Sequence, residues 1–563
     1  MSGVQTEAAC TIRVDNKKIE FDISSVTLAQ YIDYHHSVEV RLRQVGKASG
    51  SKDIDDPAKY TGFLGKSIAV NIKVTSGVVD ASRELEFIGI VTDVGLESSI
   101  DGLNTAIIKG YGPTIALDGA RKYAFFENQS ASEIIGAIVR NYPITVGNIE
   151  STKGTMKFTV QYHETDYAFI TRLALEAGKY AFYNGKEFRL VKASGADIEE
   201  LVWRETLGSF SYNLGTGVTD YHADVYNYEQ SNTLTQDTKS LPAQSALGNL
   251  SKLSPDASKN IYSESSYSLR AKHVPDAQSL DDILQNEKSG SLGRMILCRG
   301  DSIVPKIMVG RCVKIKGMDK LDGSYWVTGV VHNFDESGKY ANYFECLPLD
   351  IAAPRTLLEP KQITDLQSAV VVDNNDPDKM GRIRVKFPWS GNNTTLWIRF
   401  MTLHAGKSLG WFCLPEIGDE VLVGFERGDP DLPVALGALT NKNNSPHSDT
   451  NNPQNDVKML LTKGGNQIYI MDESGKEQIK IAMKGGQNSI VMELSSPPKI
   501  SIESQGDISL KGQNITIESQ QKMVLKAGTD LNAESINMGL KASANSNIEG
   551  MMVNVKGTPI KLN

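Results

Sequence analysis

The short motifs best suited to chemistry each lack a residue that the chemistry requires. Gly-Lys-Ser occurs at residues 65–67 and 406–408, but Tyr60 and Met401 stand where a phosphate-binding loop needs its first glycine. His163 and Glu164 begin a zinc-protease pattern that has no second histidine. No Gly-x-Ser-x-Gly spacing lies between a predicted strand and a predicted helix, so we expect no serine nucleophile.

The carboxylates are numerous but are typical of turns. Residues 373–381, DNNDPDKMG, resemble a calcium loop, yet Pro377 occupies a ligand position and the bidentate glutamate is missing. A glycan-cleaving enzyme needs two carboxylates that face each other across a cleft, whereas the acidic residues here stand in or beside predicted turns, which Asp favours. They are Asp373, Asp376, Glu416, Asp419, Glu420, Asp429 and Asp431. We therefore predict no catalytic residue, no metal site and no cofactor.

The cysteines and the first residues indicate a protein made in the cytoplasm. Five cysteines, Cys10, Cys298, Cys312, Cys346 and Cys413, are never closer than 14 residues apart, which fits neither a disulfide framework nor zinc ligation. We expect buried free thiols. The N-terminus lacks the basic start and apolar run of a signal peptide. No stretch approaches the roughly 18 apolar residues of a membrane span.

Length and charge exclude several classes of protein. At roughly 150 residues per domain, 563 residues predict three or four domains. The 59 Lys and Arg against 67 Asp and Glu give a net charge of −8, which disfavours binding to nucleic acid. Residues 456–563 differ from the rest, because they contain no Trp, Phe, His, Cys or Arg and only one aromatic residue, Tyr469.

The elements of residues 1–360 predict a mixed, mostly β region. A capping box at Ser130 and Glu133 begins one helix, and Thr165 begins a second, which Gly178 ends. A third helix is predicted around Leu280. The remainder reads as short alternating strands such as 87–91 and 325–331. We predict two hub-like, barrel-containing units over 1–230 and 231–360.

Residues 361–441 change to strand and turn alone. Five short strands with Gly and Pro at their corners fit a small barrel of the OB type. This fold can bind sugars or oligonucleotides, but its aromatic residues alternate as core residues do, and we predict them to be buried: Phe387, Trp389, Trp397, Trp411 and Phe425. Residues 442–457 are polar and predict a linker.

Residues 458–563 form a repeat. Pairs such as Ile468 and Ile470 recur every 11 residues, and after residues 495–498 the spacing falls to seven or eight, which predicts short strands with one apolar face. Three strands could close one coil of a monomeric β-helix, or three chains could form a trimeric prism. The prism suits the short length and the lack of aromatic residues. Its predicted axial core is Ile500, Ile502, Ile508, Leu510, Ile515, Ile517, Met523 and Leu525.

Several longer segments resemble the VgrG spike proteins of type VI secretion and contractile injection systems. Residues 371–389, VVDNNDPDKMGRIRVKFPW, and 414–439, LPEIGDEVLVGFERGDPDLPVALGAL, resemble the OB-domain signature of that family. Residues 162–180 and 321–332 are similar to its phage-hub-like region. Residues 394–408 depart from the usual pattern.

The resemblance implies a homotrimer whose hub sits on a hexameric, Hcp-like tube protein and whose needle carries a PAAR-type tip protein. It also implies contacts with baseplate proteins, effectors and, transiently, a target membrane. Because terminal rungs expose unpaired backbone, we predict that the tip protein binds Thr558, Pro559, Ile560, Lys561, Leu562 and Asn563.

The predicted function is therefore a structural, non-enzymatic spike that is secreted with the apparatus and punctures membranes to deliver effectors. The alternative is a tail protein that degrades or binds cell-wall glycans. Native mass separates a trimer from a monomeric binding module, and a clearing zymogram tests for an enzyme.

Overall fold

The computed structural model describes residues 7–43, 60–75, 84–98, 104–241, 247–268, 274–354, 363 and 365–561. The chain separates into two compact units, Met1–Ser445 and Pro446–Asn563. Strands are the main regular elements of both units. In the described residues, the α-helices are α1 (Ala131–Val139), α2 (Asp166–Glu176), α3 (Leu253–Ser258) and α4 (Ala277–Met295).

The three predicted helices are confirmed, and α3 was not predicted. At α1 the Ser130 side chain accepts from the Glu133 amide while the Glu133 carboxylate accepts from the Ser130 amide, which is the reciprocal capping box. At α2 the Thr165 hydroxyl accepts from the Ala168 amide. Gly178 follows this helix with φ of 65°, a left-handed conformation that glycine adopts without strain.

The first part of the larger unit, which we call the hub, is built on a 13-stranded sheet. Its longest path runs β14-β18-β21-β20-β3-β4-β7-β6-β5-β1-β2, and β13 and β19 join it beside β20. The hub strands are β1 (Glu7–Val14), β2 (Lys17–Lys18), β3 (Asp22–Tyr31), β4 (Ser37–Arg43), β5 (Ser67–Thr75), β6 (Leu85–Ser98), β7 (Asn104–Tyr111), β8 (Arg121–Gln129), β9 (Val146–Ile149), β10 (Met156–Thr165), β11 (Tyr180–Tyr183), β12 (Phe188–Val191), β13 (Ile198–Val202), β14 (Leu207–Leu214), β15 (Tyr221–Asn227), β16 (Asn232–Asp237), β17 (Ser266–Tyr267), β18 (Ile296–Ser302), β19 (Cys312–Lys316), β20 (Gly323–Asp335) and β21 (Tyr340–Pro348).

Strand β20 joins the early and late strands of the hub into this one sheet. Its first half pairs with β19 and its second half with β3, where Phe334 lies opposite Val26. The predicted strands at 87–91 and 325–331 fall within β6 and β20. Alternate side chains of strands such as β4 are buried in the main hydrophobic core. Helices α1 and α2 bury a second core with β11 and β12, to one side of this sheet.

The second part of the larger unit, which we call the barrel, contains the predicted five-stranded sheet. Its order is β23-β22-β27-β28-β24, and its core includes Val371, Phe387 and Val421. A two-stranded hairpin of β25 and β26 is additional to it. The strands are β22 (Gln367–Asp373), β23 (Arg384–Lys386), β24 (Arg399–Phe400), β25 (Ala405–Gly406), β26 (Leu409–Gly410), β27 (Glu420–Phe425) and β28 (Pro433–Leu439).

Two expectations about buried side chains are wrong at one place in the barrel. Trp411 is 48% exposed and does not enter the core, whereas Phe387 does. Cys413 is also exposed, while Cys298, Cys312 and Cys346 are buried free thiols as predicted. The physical reason is that β25 and β26 pair only with each other, so residues 405–413 leave the barrel wall instead of alternating across it.

The smaller unit begins with an antiparallel sheet in which each strand pairs with the next. Its strands are β29 (Val457–Leu461), β30 (Gln467–Met471), β31 (Gln478–Ala482), β32 (Asn488–Glu493) and β33 (Lys499–Ser504). Residues 505–561 contain no strand, so the strands predicted between 508 and 531 are not formed within one chain. A β-ladder needs a partner strand, and this segment has none within the part of the chain that the structure describes.

Candidate functional site

The sheet of β29–β33 carries two apolar ladders on one face. In the first ladder, each residue lies directly opposite the next across the strands: Leu460, Ile468, Ile481, Ile490 and Ile502. The second ladder, two residues along each strand, is Ile470, Ile479, Met492 and Ile500. All nine side chains are between 36% and 70% exposed. We call this surface the ladder face.

The ladder face is the more exposed side of its sheet, although it is the apolar side. The opposite face presents Tyr469, Lys480, Val491 and Ser501 in register, and these residues are only half exposed. The ladder face also lines an open cleft of about 530 Å³. A contiguous apolar surface of this kind on a folded sheet marks a site of association.

Residues 505–561 complete the candidate assembly surface. Every side chain in this stretch is exposed, and no backbone amide from 506 onward donates to a backbone carbonyl of the described chain. Six of the predicted axial residues lie here, with exposures between 46% and 70%: Ile508, Leu510, Ile515, Ile517, Met523 and Leu525. The other two, Ile500 and Ile502, lie on the ladder face. Within the single chain, Ile508 lines the same cleft as Ile502.

The predicted tip-binding residues lie at the end of the same segment. Thr558, Pro559, Ile560 and Lys561 are exposed. Leu562 and Asn563 lie outside the described residues. Their role in binding a tip protein stays a prediction.

A second feature, which the sequence did not reveal, joins the hub to the barrel. Asp431 of the barrel is 5% exposed, and its carboxylate accepts hydrogen bonds from the Val160 amide at 2.7 Å and the Thr159 hydroxyl at 3.0 Å. Gln367 of the barrel bonds to Tyr162 and accepts from the Trp389 indole at 2.7 Å. We call this contact the hub–barrel junction.

Aromatic side chains fill the rest of this junction. The Trp389 ring of the barrel lies 4.7 Å from the Tyr123 ring and 5.3 Å from the Phe125 ring of the hub, between ring centres. Arg384 adds an ion pair with Glu127 at 3.2 Å. Because polar and apolar contacts are combined over four strands, we expect the hub and the barrel to move together. The signal that could have found the junction is the aromatic run at 123–126.

The acidic motif at 373–381 is a turn that an internal ion pair holds together. The Asp376 carboxylate accepts from the Arg382 guanidinium at 2.7 and 3.0 Å and from the Asp378, Met380 and Arg382 amides. These hydrogen bonds lower the pKa of Asp376 to about 2, the bond from the Arg382 side chain being the largest cause. Because its oxygens are committed to these donors, Asp376 stabilises a turn.

Other carboxylates of the barrel also accept hydrogen bonds from backbone amides in turns. Asp373 accepts from the Asn375 amide, and Asp419 accepts from the Glu416 amide. Among the described residues, no three His, Cys, Asp or Glu side chains gather as metal ligands would. Residues 406–410 have the Gly-x-Ser-x-Gly pattern of a nucleophile elbow, centred on Ser408. They lie between two paired strands rather than between a strand and a helix.

Two histidines are buried in the hub core. Burial is the main cause that lowers the pKa of His36 and of His332 to about 3. The Nδ1 atom of His332 lies 2.6 Å from the Tyr340 hydroxyl, and the His36 ring packs 5.9 Å from the Tyr183 ring. Both are neutral members of a core at neutral pH. No described helix has the length and apolarity that crossing a bilayer requires.

Comparison with known proteins finds families that match the hub and the barrel. A family described as "Phage tail baseplate hub (GPD)" matches residues 36–338, and one described as "Type VI secretion system/phage-baseplate injector OB domain" matches residues 367–439. The chain is 25% identical over 415 residues to the type VI secretion system spike protein VgrG1a of Pseudomonas aeruginosa, which covers 65% of this chain and 62% of that protein. It is 24% identical to VgrG1b of the same organism, over 64% of this chain and 54% of that protein. The match therefore spans less than two thirds of the length of these curated relatives.

Solved structures share the fold. The Escherichia coli c3393 protein, described as a type VI secretion component similar to T4 bacteriophage tail proteins gp27 and gp5, gives a TM-score of 0.51 at 16% identity, over 76% of this chain and 99% of that chain. A chain of the half-lidded Francisella PdpA-VgrG complex gives 0.58 at 9% identity, over 90% and 89%.

Proposed function

Because the chain belongs to the phage tail baseplate hub family, we propose that it is the structural spike of a contractile injection or type VI secretion apparatus. In this role three copies assemble, cap the inner tube and puncture a target membrane to deliver effectors. The proposal makes the hub (1–230 and 231–360) the seat on the tube, the barrel (361–441) the coupling domain and residues 458–563 the needle, joined by a linker at 442–457.

The observation that carries the proposal is the ladder face with its unpaired continuation. Among the described residues, the nine ladder side chains are 36–70% exposed, and residues 505–561 form no strand and are exposed throughout. Fully burying an aliphatic side chain stabilises by roughly 1.5–3 kcal/mol, so covering these surfaces strongly favours association. A copy of the same chain supplies a matching period of strands and turns, and three copies around an axis give each ladder a dry core without aromatic residues.

The hub supports the seat on a tube. Its sheet is continuous across β20 and β3, so the early and late strands of one chain form a single wall. The two predicted hub units, 1–230 and 231–360, would give three chains six surfaces, which suits a hexameric, Hcp-like tube protein. At the other end, residues 558–563 are proposed to bind a PAAR-type tip protein, and baseplate proteins and effectors are the further partners. Assembly starts in the cytoplasm, and the spike leaves with the apparatus.

Native mass tests the assembly. We expect a species of three times the chain mass of 61.5 kDa. Ile515→Asp with Ile517→Asp should reduce it to the monomer, because six charges would meet on a dry axis. The matched control is Ser519→Asp with Ser535→Asp, at exposed polar positions of the same segment. A wild-type monomer, or a trimer that survives the Ile515 and Ile517 changes, would contradict the proposal.

A further inference from the structure

A hairpin on the barrel displays large apolar side chains to solvent. It spans residues 401–412 and includes β25 and β26. Five of its side chains are 48–88% exposed: Met401, Leu403, Leu409, Trp411 and Phe412. We call it the apolar hairpin. Single exposed apolar side chains are normal on a protein surface, but five within 12 residues mark a contact site.

The hairpin is held in shape by its own hydrogen bonds. Ala405 pairs with Gly410 and Gly406 with Leu409, and the Trp411 amide donates to the His404 carbonyl at 2.9 Å. Gly410 has φ of 137°, and a Cβ there would lie 2.3 Å from the His404 carbonyl oxygen. The apolar side chains therefore project from an ordered support.

The base of the hairpin is fixed to the acidic turn of the barrel. A Cβ on Gly381 would lie 2.7 Å from the Phe412 ring, so this ring packs directly on the turn that Asp376 and Arg382 hold. Leu403 and Leu409 are 88% and 61% exposed. An anchored base and an apolar end are the features of a docking element.

The same barrel carries a second apolar surface that could receive such an element. Val370, Glu420 and Leu439 are neighbours across β22, β27 and β28, on the side opposite the core residues Ala369 and Val421. Val370 is 43% exposed and Leu439 38%. Together with Glu420, they form what we call the outer barrel face.

We propose that the apolar hairpin of one copy docks on the outer barrel face of the neighbouring copy, which makes a ring of three barrels. The inference rests on the proposed trimer. Around a threefold axis a contact is heterologous, so each chain needs two different complementary surfaces, and the hairpin and the outer barrel face are such a pair. The hairpin turn carries Lys407, and the receiving face carries Glu420, so their charges are also complementary.

Chain connectivity favours a copy of this chain as the occupant. Residues 440–456 alone separate β28 of the barrel from β29 of the ladder sheet. Copies joined through their ladder faces therefore hold their barrels at high local concentration, and a contact too weak to form between free chains becomes populated.

Cys413 provides a native probe of this contact. It follows Phe412 directly and is exposed, whereas Cys298, Cys312 and Cys346 are buried. Burial raises the pKa of the Cys10 thiol to about 12, which keeps that residue unreactive. A maleimide should modify Cys413 about tenfold more slowly in the wild-type trimer than in the Ile515→Asp, Ile517→Asp monomer. This factor corresponds to a hairpin that is undocked about one tenth of the time.

Two variants decide the interpretation. Leu403→Ser with Leu409→Ser should restore fast labelling of Cys413 while the native mass stays trimeric, and Leu64→Ser, at an exposed leucine of the hub, should change nothing. Leu409→Cys with Val370→Cys should crosslink neighbouring copies through a short bis-maleimide. Equal labelling of the trimer and the monomer, or crosslinks only within one chain or to another protein, would overturn the docking and leave the trimer standing. A monomeric wild type would instead refute the proposed function.

Discussion

Replacing Asp431 by alanine should loosen the hub–barrel junction. The Asp431 carboxylate is 5% exposed and is the acceptor for both the Val160 amide and the Thr159 hydroxyl, which are themselves buried. Alanine would leave both donors without this acceptor in a site that water does not reach. Each buried donor that loses its partner costs about 1–3 kcal/mol. The expected loss in the free energy of unfolding is therefore about 2–6 kcal/mol for the pair.

A graded series separates this mechanism from general damage. Asp431→Asn keeps one acceptor oxygen, so it should cost about half as much as Asp431→Ala. Urea unfolding followed by tryptophan fluorescence measures the loss, since Trp389 lies in the junction. Thr159→Val removes one of the two donors, so combining it with Asp431→Ala should cost less than the sum of the single changes.

If Asp431→Ala changes the free energy of unfolding by less than about 0.5 kcal/mol, the range of an ordinary surface substitution, the junction is not held as described. Strict additivity of Asp431→Ala and Thr159→Val would also contradict it, because the two residues share a hydrogen bond. The native mass should stay unchanged in every variant, because the junction lies within one chain.

Two further predictions concern the ends of the molecule and its core. Deleting residues 558–563 should abolish co-purification of the tip protein and leave the native mass unchanged, and tip binding that survives the deletion would place that site elsewhere. The hub should lose stability as the pH falls from about 6.5 towards 3, because burial lowers the pKa of His36 to about 3 and the unfolded chain then binds a proton that the folded hub does not. In urea titrations at several pH values, His36→Phe should make the free energy of unfolding fall less steeply with pH. His447→Phe, at an exposed position, should not change that slope. Identical slopes for the wild type and His36→Phe would count against the buried neutral ring.

The local parts of the fold were predictable from the sequence. The helix at 131–139 follows from its capping box, and the five-stranded barrel from alternation between Gly and Pro corners, because caps and turns depend on residues close together in the chain. The pairs Ile468 with Ile470 and Ile479 with Ile481 were expected on one face for the same reason. The structure adds their register, which aligns them into two continuous ladders.

The aromatic run at 123–126 marks one side of the hub–barrel junction, but the sequence does not show which residues lie across from it. Asp431 and Val160 are 271 residues apart, and neither stands in a pattern that specifies the other. For Trp411 and Cys413 the sequence was misleading. Their alternation predicts burial, but the hairpin holds both residues away from the core and they are exposed. The period of apolar residues predicts that a segment is a strand, but the elements that pair with it determine which of its faces is buried.

The sequence by itself determined the repeat, the apolar face of each short strand and the family resemblance, because these depend on residue type and spacing. Only the tertiary structure decided which of those faces the chain can cover. The hub strands close over a common core, whereas the ladder face and residues 505–561 remain open, since one sheet followed by an extended segment offers no second layer. The hub and the barrel bury their apolar side chains within one chain, whereas the described residues after 457 leave most of theirs exposed.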